Sequence, residues 1–352
     1  MLFKESSNQG AQQQQESNAA ADLNKPAPKQ GLRKAAAVAG ASDTSTVKTK
    51  PKIGTMAMGK DYPYPIESVP IDFDFTTFVA KGGKRFQEYT SGAVPYEIVP
   101  TQNDDDAARS RRYHVKRAMQ HAFEGYRKYA WGMDEVMPVS KTGANPWGGM
   151  GTTMVDSLDT LWLMGLKDEF YKCRDWIATS LKYPPKVVSF FETTIRSLGG
   201  LLSAYDWSGD KVFLDKALDL GSRMSCAFNT ASGVPYGRVN LGQGSSGSNL
   251  AWTGGSAILA EAGTVQIEYR YLAKATNNPE YAQKAEKVFD VLNKMDAPDG
   301  LYPYYITNNS PTPKFKNKKI TFGAMGDSFY EYMLKLWLQG GKKETIYRDM
   351  YD

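Results

Sequence analysis

The sequence predicts an all-α protein whose helices form hairpins arranged as a toroid or a solenoid. Two observations carry this prediction. From residue 104 onward, apolar residues recur every three or four positions in successive segments, and strand-like alternation is not sustained in any of them. Long and short connections alternate between these segments, as expected for an array of helical hairpins. The segments differ too much from one another to be a repeat of short period.

Each helix is predicted from the spacing of its apolar residues and from the glycines and prolines that flank it. A loop rich in glycine and serine covers residues 232–249, and loops of this length in compact domains are usually functional or disordered. The predicted helices span residues 104–131, 152–166, 168–181, 188–205, 211–228, 256–275, 279–295 and 321–338, and a further helix begins at residue 342.

The helix predicted at residues 188–205 is the one around which the chain is organised. Glu192 and Arg196 are four residues apart and share one face of it. Considered alone, they are most simply a surface ion pair worth about 0.3–0.5 kcal/mol. Gly199 and Gly200 each cost about 1 kcal/mol relative to alanine in mid-helix, so we expect a neighbouring helix or a ligand to approach closely there. The apolar residues predict one buried stripe, formed by Val188, Phe191, Ile195, Leu198, Leu202 and Tyr205.

Acidic residues occur within several otherwise apolar helices. One such carboxylate is most simply a solvated residue at the edge of its helix, but several on successive helices predict an acidic central cavity. Paired carboxylates without a nucleophilic cysteine or histidine favour acid/base hydrolysis, and glycosidic bonds are the usual target. The candidate residues are Asp159, Glu192, Glu261, Asp327 and Glu331.

The composition argues against several other classes of protein. The chain has 352 residues, 41% of them apolar and 12% aromatic, and can therefore bury a large core. Its net charge is +5 without blocks of Arg and Lys interleaved with aromatics, so we expect no nucleic-acid partner. With two cysteines, two histidines and no C-x-x-C pair, a zinc site is disfavoured. We expect Cys173 and Cys226 to be buried free thiols.

Residues 1–100 differ in composition from the remainder of the chain. A QQQQ run lies at residues 12–15, and Ser, Ala, Lys and Pro dominate up to residue 52. Such a segment buries too little apolar surface to offset the entropy lost on ordering. We therefore predict a disordered or stem-like N-terminal region at residues 1–100. No apolar run reaches the roughly 20 residues needed to span a bilayer.

Six ordered segments resemble glycoside hydrolase family 47, the class I α1,2-mannosidases that trim Asn-linked high-mannose glycans. Together they extend over more than half of the chain, which makes the resemblance specific. The segments are HAFEGYRKYAWGMDEVMPVS (121–140), GTTMVDSLDTLWLMGL (151–166), VVSFFETTIRSLGGLLSAYDWSGD (187–210), AFNTASGVPYGRVNL (227–241), LAEAGTVQIEYRYL (259–272) and ITFGAMGDSFYEYMLKLWLQGGK (320–342).

The resemblance implies an (αα)7 barrel and an inverting, calcium-dependent hydrolase. By match of its segment, Glu192 takes the place of a catalytic acid that acts through a water, and Arg196 that of an arginine orienting the site. Asp327 takes the place of a second catalytic acid. We therefore predict Glu192 and Asp327 as catalytic residues. An inverting mechanism requires its acid and base carboxyls to lie about 6.5–9.5 Å apart.

The resemblance also implies which residues bind substrate. Glu261 and Glu331 match acidic residues that line the −1 subsite and hold calcium-bound waters, and Asp159 is grouped with them and with Arg196 as substrate-binding. Met325, two residues before the second acid, is apolar as in the Golgi type, which predicts broad trimming of α1,2-mannoses. The expected partners are high-mannose N-glycans on glycoproteins, and the expected oligomeric state is a monomer.

The resemblance implies further features that fall outside this chain. The family's catalytic base and the threonine that ligates Ca2+ would follow Asp352, so no direct calcium ligand is predicted within the sequence. Residues 104–352 are interpreted as an incomplete N-terminal portion of the barrel, about the first half to two thirds of its helices. We expect this chain by itself to be inactive and unstable. The expected compartment is the Golgi or endoplasmic reticulum lumen, with a membrane anchor in the full-length form and none visible here.

Two other functions remain open from the sequence. Catalytically silent relatives of the family act as mannose-binding, lectin-like factors in glycoprotein quality control. An α-solenoid interaction module predicts neither an acidic cavity nor sugar binding. Residues Asn308, Asn309 and Ser310 also form a glycosylation sequon, although the proline that follows disfavours its use.

Overall fold

The computed structural model describes residues 106–242, 244 and 247–352. The predicted disordered or stem-like region at residues 1–100 lies outside the described residues. The α-helices are α1 (Asp106–Tyr129), α2 (Thr152–Asp156), α3 (Leu158–Leu163), α4 (Lys167–Thr179), α5 (Phe190–Glu192), α6 (Gly199–Ser208), α7 (Lys211–Met224), α8 (Leu259–Ala262), α9 (Gln266–Thr276), α10 (Glu280–Leu292), α11 (Asp327–Gln339) and α12 (Thr345–Tyr351). A π-helix (Thr193–Leu198) joins α5 to α6, and 3-10 turns occur at Ser225–Phe228, Ala251–Thr253 and Pro298–Gly300.

Short strands form three small antiparallel sheets. In two of them a strand leads directly into a helix that carries a candidate acid. Val188 of β3 (Val187–Ser189) pairs with Val239 of β4 (Arg238–Asn240), and Ala257 of β6 (Ala257–Ile258) pairs with Ile306 of β7 (Tyr305–Ile306). These ladders fix the points at which α5 and α8 begin. The strands are β1 (Glu135–Met137), β2 (Thr142–Ala144), β3 (Val187–Ser189), β4 (Arg238–Asn240), β5 (Gly247–Ser248), β6 (Ala257–Ile258) and β7 (Tyr305–Ile306).

Successive helices pack as hairpins, in agreement with the all-α prediction. The pairs α3 and α4, α6 and α7, α9 and α10, and α11 and α12 lie against each other. Aromatic residues link the hairpins: the ring centroid of Phe190 lies 5.3 Å from that of Phe228 and 5.9 Å from that of Tyr269. Both predicted free thiols are confirmed, because Cys173 and Cys226 are buried and unbridged.

The buried stripe predicted for the helix at 188–205 is partly wrong. Phe191 and Ile195 are only partly buried, whereas Phe190 and Thr194 are buried in their place. There are two reasons. Residues 187–189 form a strand, so the helix begins only at Phe190, and from Thr193 the π-helix has a wider turn than the 3.6-residue period assumed for the prediction. Leu198 and Leu202 are buried as predicted.

Several predicted helices have different bounds in the structure; the one at 152–166, for example, is divided at Ser157 into α2 and α3. The helix predicted at 256–275 is split at Gly263, where an added Cβ would lie 2.4 Å from Phe329 of α11. The helix predicted at 321–338 begins at Asp327, because Met325 has a left-handed backbone with φ 77° that no α-helix accepts. In the part of the chain that the structure describes, no helix has the length and apolarity of a membrane-spanning segment.

Candidate active site

The helical stretch that carries Glu192 is positioned by its first residues. Ser189 caps it, since its hydroxyl oxygen accepts a 3.2 Å hydrogen bond from the Glu192 amide. The π-helical residues Thr193–Leu198 follow immediately. Such segments are rare and occur mostly at functional sites, because they re-aim side chains that an α-helix would place elsewhere.

Arg196 holds the Glu192 carboxylate through an ion pair that involves a third residue. Arg196 Nε donates a 2.8 Å hydrogen bond to Glu192 Oε2, and Arg196 Nη1 lies 3.6 Å from Asp156 Oδ2. The guanidinium carbon is also 5.2 Å from the centroid of the Trp147 ring. An arginine shared by two carboxylates and an aromatic face has little freedom to reorient. The simple surface ion pair is therefore an incomplete description of these residues.

Asp134 fixes the loop that presents Trp147. This carboxylate is fully buried and accepts hydrogen bonds from the backbone amides of Trp147 at 2.9 Å, Gly149 at 2.7 Å and Met150 at 2.8 Å. The amide and the hydroxyl of Thr152 donate to it as well, at 3.2 and 3.1 Å. A buried charge is stable only when it is hydrogen-bonded in this way. The sequence analysis missed Asp134, although its position before a Gly- and Pro-rich loop was a usable signal.

Glu261 lies close enough to Glu192 for their charges to interact. Burial raises the pKa of the Glu261 carboxyl to about 7, and the negative charge of Glu192 raises it further toward that value. A Cβ added to Gly237 would lie 2.9 Å from Glu261 Oε2, so the chain passes directly over this carboxylate. A carboxyl that titrates near neutrality next to a second carboxylate has the properties required for acid/base chemistry.

Asp159 joins the same group of acids through a different helix. Ser203 Oγ of α6 donates a 2.9 Å hydrogen bond to Asp159 Oδ2, and the Thr160 amide donates a 2.6 Å bond to Oδ1. Partial burial raises the pKa of Asp156; the positive charge of Arg196 opposes this, and the nearby carboxylates of Asp159 and Glu192 add to it. The structure thus brings together the predicted residues Asp159, Glu192, Arg196 and Glu261.

The other two predicted acids are exposed and lie at the start of α11. Asp327 accepts a 2.8 Å hydrogen bond from the Ser328 amide, and Glu331 forms an ion pair with Lys335 on the same helix. The Ala260 amide donates a 3.0 Å hydrogen bond to the Met325 carbonyl, which places this end of α11 beside the helix of Glu261. No contact joins Asp327 or Glu331 to Glu192 among the described residues.

Glu268 is a partly buried residue whose carboxyl is buried, and it was not among the site residues predicted from the sequence. Tyr332 Oη donates a 2.7 Å hydrogen bond to Glu268 Oε1, while Oε2 is buried without a hydrogen-bond partner. Burial raises the pKa of this carboxyl to about 7. A Cβ added to Gly199 would lie 3.6 Å from Glu268 Cγ, so Glu268 packs against the helix that carries Glu192.

The model of Glycosyl hydrolase family 47 matches residues 118–352. The chain belongs to this family. Mannosyl-oligosaccharide 1,2-alpha-mannosidase MNS1 from Arabidopsis thaliana is 49% identical over 265 residues, which cover 74% of this chain and 47% of that protein. Endoplasmic reticulum mannosyl-oligosaccharide 1,2-alpha-mannosidase from Rattus norvegicus is 46% identical over 238 residues, 67% of this chain and 36% of that protein.

A solved structure shares this fold. The alpha-1,2-mannosidase from Trichoderma reesei superposes with a TM-score of 0.64 at 30% sequence identity, over 69% of this chain and 53% of that chain. The prediction of an (αα)7-barrel fold is confirmed by this match. The family 47 chain described here spans about half the length of the curated relatives it matches, or less.

The described residues contain no cluster of direct ligands for the calcium ion that the family implies. No three His, Cys, Asp or Glu side chains come together there as a metal-binding group. Calcium prefers six to eight oxygen ligands. Among the acids of the candidate site, Glu192 is paired with Arg196 and Asp159 accepts from Ser203, whereas no hydrogen bond to another described residue engages Glu261.

A separate cleft of about 380 Å³ lies away from the acids of the candidate site. It is formed by the segments around residues 294–303 and 313–318, and three lysines, Lys294, Lys314 and Lys318, contribute to its lining. It shares no residue with the group around Glu192, so the acids are not part of this cleft.

Proposed function

We propose that this chain carries the acid-bearing part of an α1,2-mannosidase site that trims high-mannose N-glycans by inversion. The observation that carries the proposal is the convergence of the Glu192–Arg196 pair with Glu261, which comes from a distant part of the chain. In this proposal Glu192 is the general acid, acting through a water. Removing the proton donor of a glycosidic leaving group costs about 10²–10⁴-fold in rate.

Arg196 serves the proposed reaction by orienting the acid. Its ion pairs with Glu192 and Asp156 fix the direction in which the Glu192 oxygens point. Orientation matters because proton transfer requires the donor to lie within about 2.6–3.2 Å of its acceptor, directly or through one water. The ring of Trp147 limits the arginine on another side.

Glu261 and Asp159 are proposed to bind the hydroxyl groups of the −1 mannose. The Glu261 carboxylate has no hydrogen bond to another described residue and faces Glu192, so it offers acceptors for a ligand. Asp327 is proposed as the second acid and Glu331 as a further contact, on the basis of the family resemblance and of the position of α11 beside Glu261. Calcium dependence is also a proposal, with the ion held through water by these carboxylates.

The compartment is proposed from the names of relatives and not from the geometry of the site. Relatives such as the rat protein are named as endoplasmic reticulum mannosidases. We propose the lumen of the endoplasmic reticulum or Golgi as the site of action, because the proposed substrate occurs on glycoproteins there.

Mannose release from a high-mannose N-glycan by the purified 352-residue protein tests the proposal, with calcium or with a chelator. Release that needs calcium and falls at least about 10²-fold in Glu192→Gln supports the proposed chemistry, and it contradicts the expectation that this chain by itself is inactive. Glu280→Gln is the matched control, because Glu280 also forms an i,i+4 ion pair, with Lys284, but lies on α10 away from the acids. Its activity is expected to equal that of the wild type.

Calorimetric binding of α1,2-linked mannobiose separates the alternatives. Binding without mannose release favours the lectin-like factor over the hydrolase. Binding is expected to weaken in Arg196→Met but not in Arg174→Met, whose guanidinium pairs with Asp210 instead. A protein that neither binds mannobiose nor releases mannose contradicts both functions and favours an interaction module.

A further inference from the structure

Asn308 is a fully buried amide that joins its own segment to the segments around Val234 and Asn249. Its Nδ2 donates hydrogen bonds to the carbonyls of Val234 at 3.2 Å and Pro235 at 2.9 Å. Its backbone carbonyl accepts a 2.9 Å hydrogen bond from Ser232 Oγ. Every polar group of the Asn308 side chain is thus used within the protein, since Oδ1 accepts from Asn249.

Asn249 carries this network from Asn308 to Gly237. Its Nδ2 donates 2.8 Å hydrogen bonds to Asn308 Oδ1 and to the Gly255 carbonyl. Its Oδ1 accepts a 3.1 Å hydrogen bond from the Gly237 amide. A primary amide is suited to this position because one planar group supplies two donors and an acceptor.

Gly237 contacts both of the acidic helices. Its carbonyl accepts a 2.9 Å hydrogen bond from the amide of Phe190, the first residue of α5 and two residues before Glu192. Its Cα faces Glu261, where an added Cβ would be 2.9 Å from Oε2. The position of this one backbone unit therefore affects the start of the Glu192 helix and the environment of Glu261 together.

We propose that Asn249 and Asn308 are positioning residues that set the spacing of Glu192 and Glu261 by fixing Gly237 between them. The catalytic role of that spacing rests on the proposed function, whereas the hydrogen bonds that set it do not depend on a bound sugar. The loop they fasten is long and rich in glycine, so it has much conformational entropy to lose. Buried hydrogen bonds on two asparagines offset that loss, and leaving one partner unpaired is costly.

The test measures the environment of Glu261 directly. Protein labelled with ¹³C at the glutamate carboxyl is titrated by NMR, and the Glu261 resonance is assigned by its loss in Glu261→Gln. The wild-type midpoint is expected near pH 7. In Asn249→Leu, the loop no longer covers Glu261, and the midpoint is expected to fall by at least about one pH unit.

A matched control distinguishes positioning from general destabilisation. Thr230 lies just before the same loop and makes comparable bonds, donating from Oγ1 to the Val234 carbonyl at 2.8 Å and accepting from the Gly233 amide at 2.9 Å. Thr230→Val is expected to lower the melting temperature without moving the Glu261 midpoint. If Asn249→Leu does not fold, the smaller change Asn249→Ser is titrated in its place.

Amide exchange and mannobiose affinity complete the test. Hydrogen exchange at Phe190 is expected to accelerate in the Asn249 variant and not in Thr230→Val. A shifted midpoint and faster exchange support the positioning role even when the wild type binds no mannobiose, which would contradict only the proposed function. An unchanged midpoint, or an equal shift in Thr230→Val, overturns the positioning role whether or not mannobiose binds.

Discussion

The backbone of Gly200 lies directly against the carbonyl of Val155, so that an added Cβ would be 2.5 Å from that oxygen. The neighbouring Gly199 is not crowded in this way: its nearest contacts would be the Thr194 carbonyl oxygen at 3.5 Å and Glu268 Cγ at 3.6 Å. The expected close approach of a helix is thus confirmed at Gly200, where α2 ends, and the adjacent glycine has ordinary space. The two positions provide a matched pair for substitution.

Gly200→Ala is expected to destabilise the protein by at least about 1–3 kcal/mol, because overpacking against a backbone atom forces the helices apart. Gly199→Ala is expected to be neutral or to stabilise by up to about 1 kcal/mol, since alanine is the better helix former. Urea unfolding of both variants measures the difference in free energy. Equal effects at the two positions would show that the close approach to Val155 is not what requires glycine.

Removing the charge of Glu192 is expected to lower the pKa of Glu261. Burial is the larger cause of the raised value of about 7, and the Glu192 carboxylate is the second. In Glu192→Gln, the Glu261 midpoint is therefore expected to fall but to stay above the ordinary glutamate value of 4.5. A carboxyl ¹³C titration measures it. Glu331→Gln serves as the control, and a Glu261 midpoint that is the same in both variants would contradict the coupling.

Glu268 is expected to make stability decrease as the pH rises. Its pKa is about 7 in the folded protein and near 4.5 in the unfolded chain, so the folded state binds more protons between these values. The free energy of unfolding should therefore fall from pH 5 to pH 8, by about 3 kcal/mol from this residue at 1.36 kcal/mol per pKa unit. Urea unfolding at both pH values should show a smaller decrease in Glu268→Gln than in the wild type. The same decrease in both proteins would contradict this account.

Asn308 is expected to carry no N-glycan, although it begins a sequon. Its Nδ2 is buried and donates two hydrogen bonds, so a glycan attached there cannot coexist with this fold. Mass spectrometry of the peptide containing Asn308, from protein made in a glycosylating host, should give the unmodified mass. Ser140→Asn creates a sequon with Thr142 on an exposed loop and controls for the competence of the host. A glycan on Asn308 in folded protein would contradict the structure.

Local spacing in the sequence predicted much of the fold. Predicted helices such as 168–181 and 279–295 correspond to α4 and α10 within a few residues, because each has regular apolar spacing and a clear flanking breaker. The helix predicted at 256–275 was wrong in its middle, where Gly263 allows Phe329 to approach. That break depends on a partner from a later helix, which no local pattern contains.

Part of the candidate site was predicted from the residues and the family resemblance. Glu192 and Arg196 form the expected pair, and Glu261 and Asp159 lie in the same group. Asp327 and Glu331 are exposed at the start of α11 and remain predictions as site residues. Asp156 and Glu268 were present in the predicted helices, but only their partners Arg196 and Tyr332 distinguish them from ordinary helix acids.

The sequence by itself determined the helical class, the shared face of Glu192 and Arg196, and the membership in family 47, since these depend on spacing and motifs along the chain. Only the tertiary structure decided that Glu261 faces Glu192, that Gly237 passes between their helices, and that Asn249 and Asn308 fasten it there. The physical reason is that the pKa of a carboxyl and the pairing of a buried amide depend on distances between segments far apart in the sequence. Those distances arise from packing, and here also from a π-helical turn that periodicity does not predict.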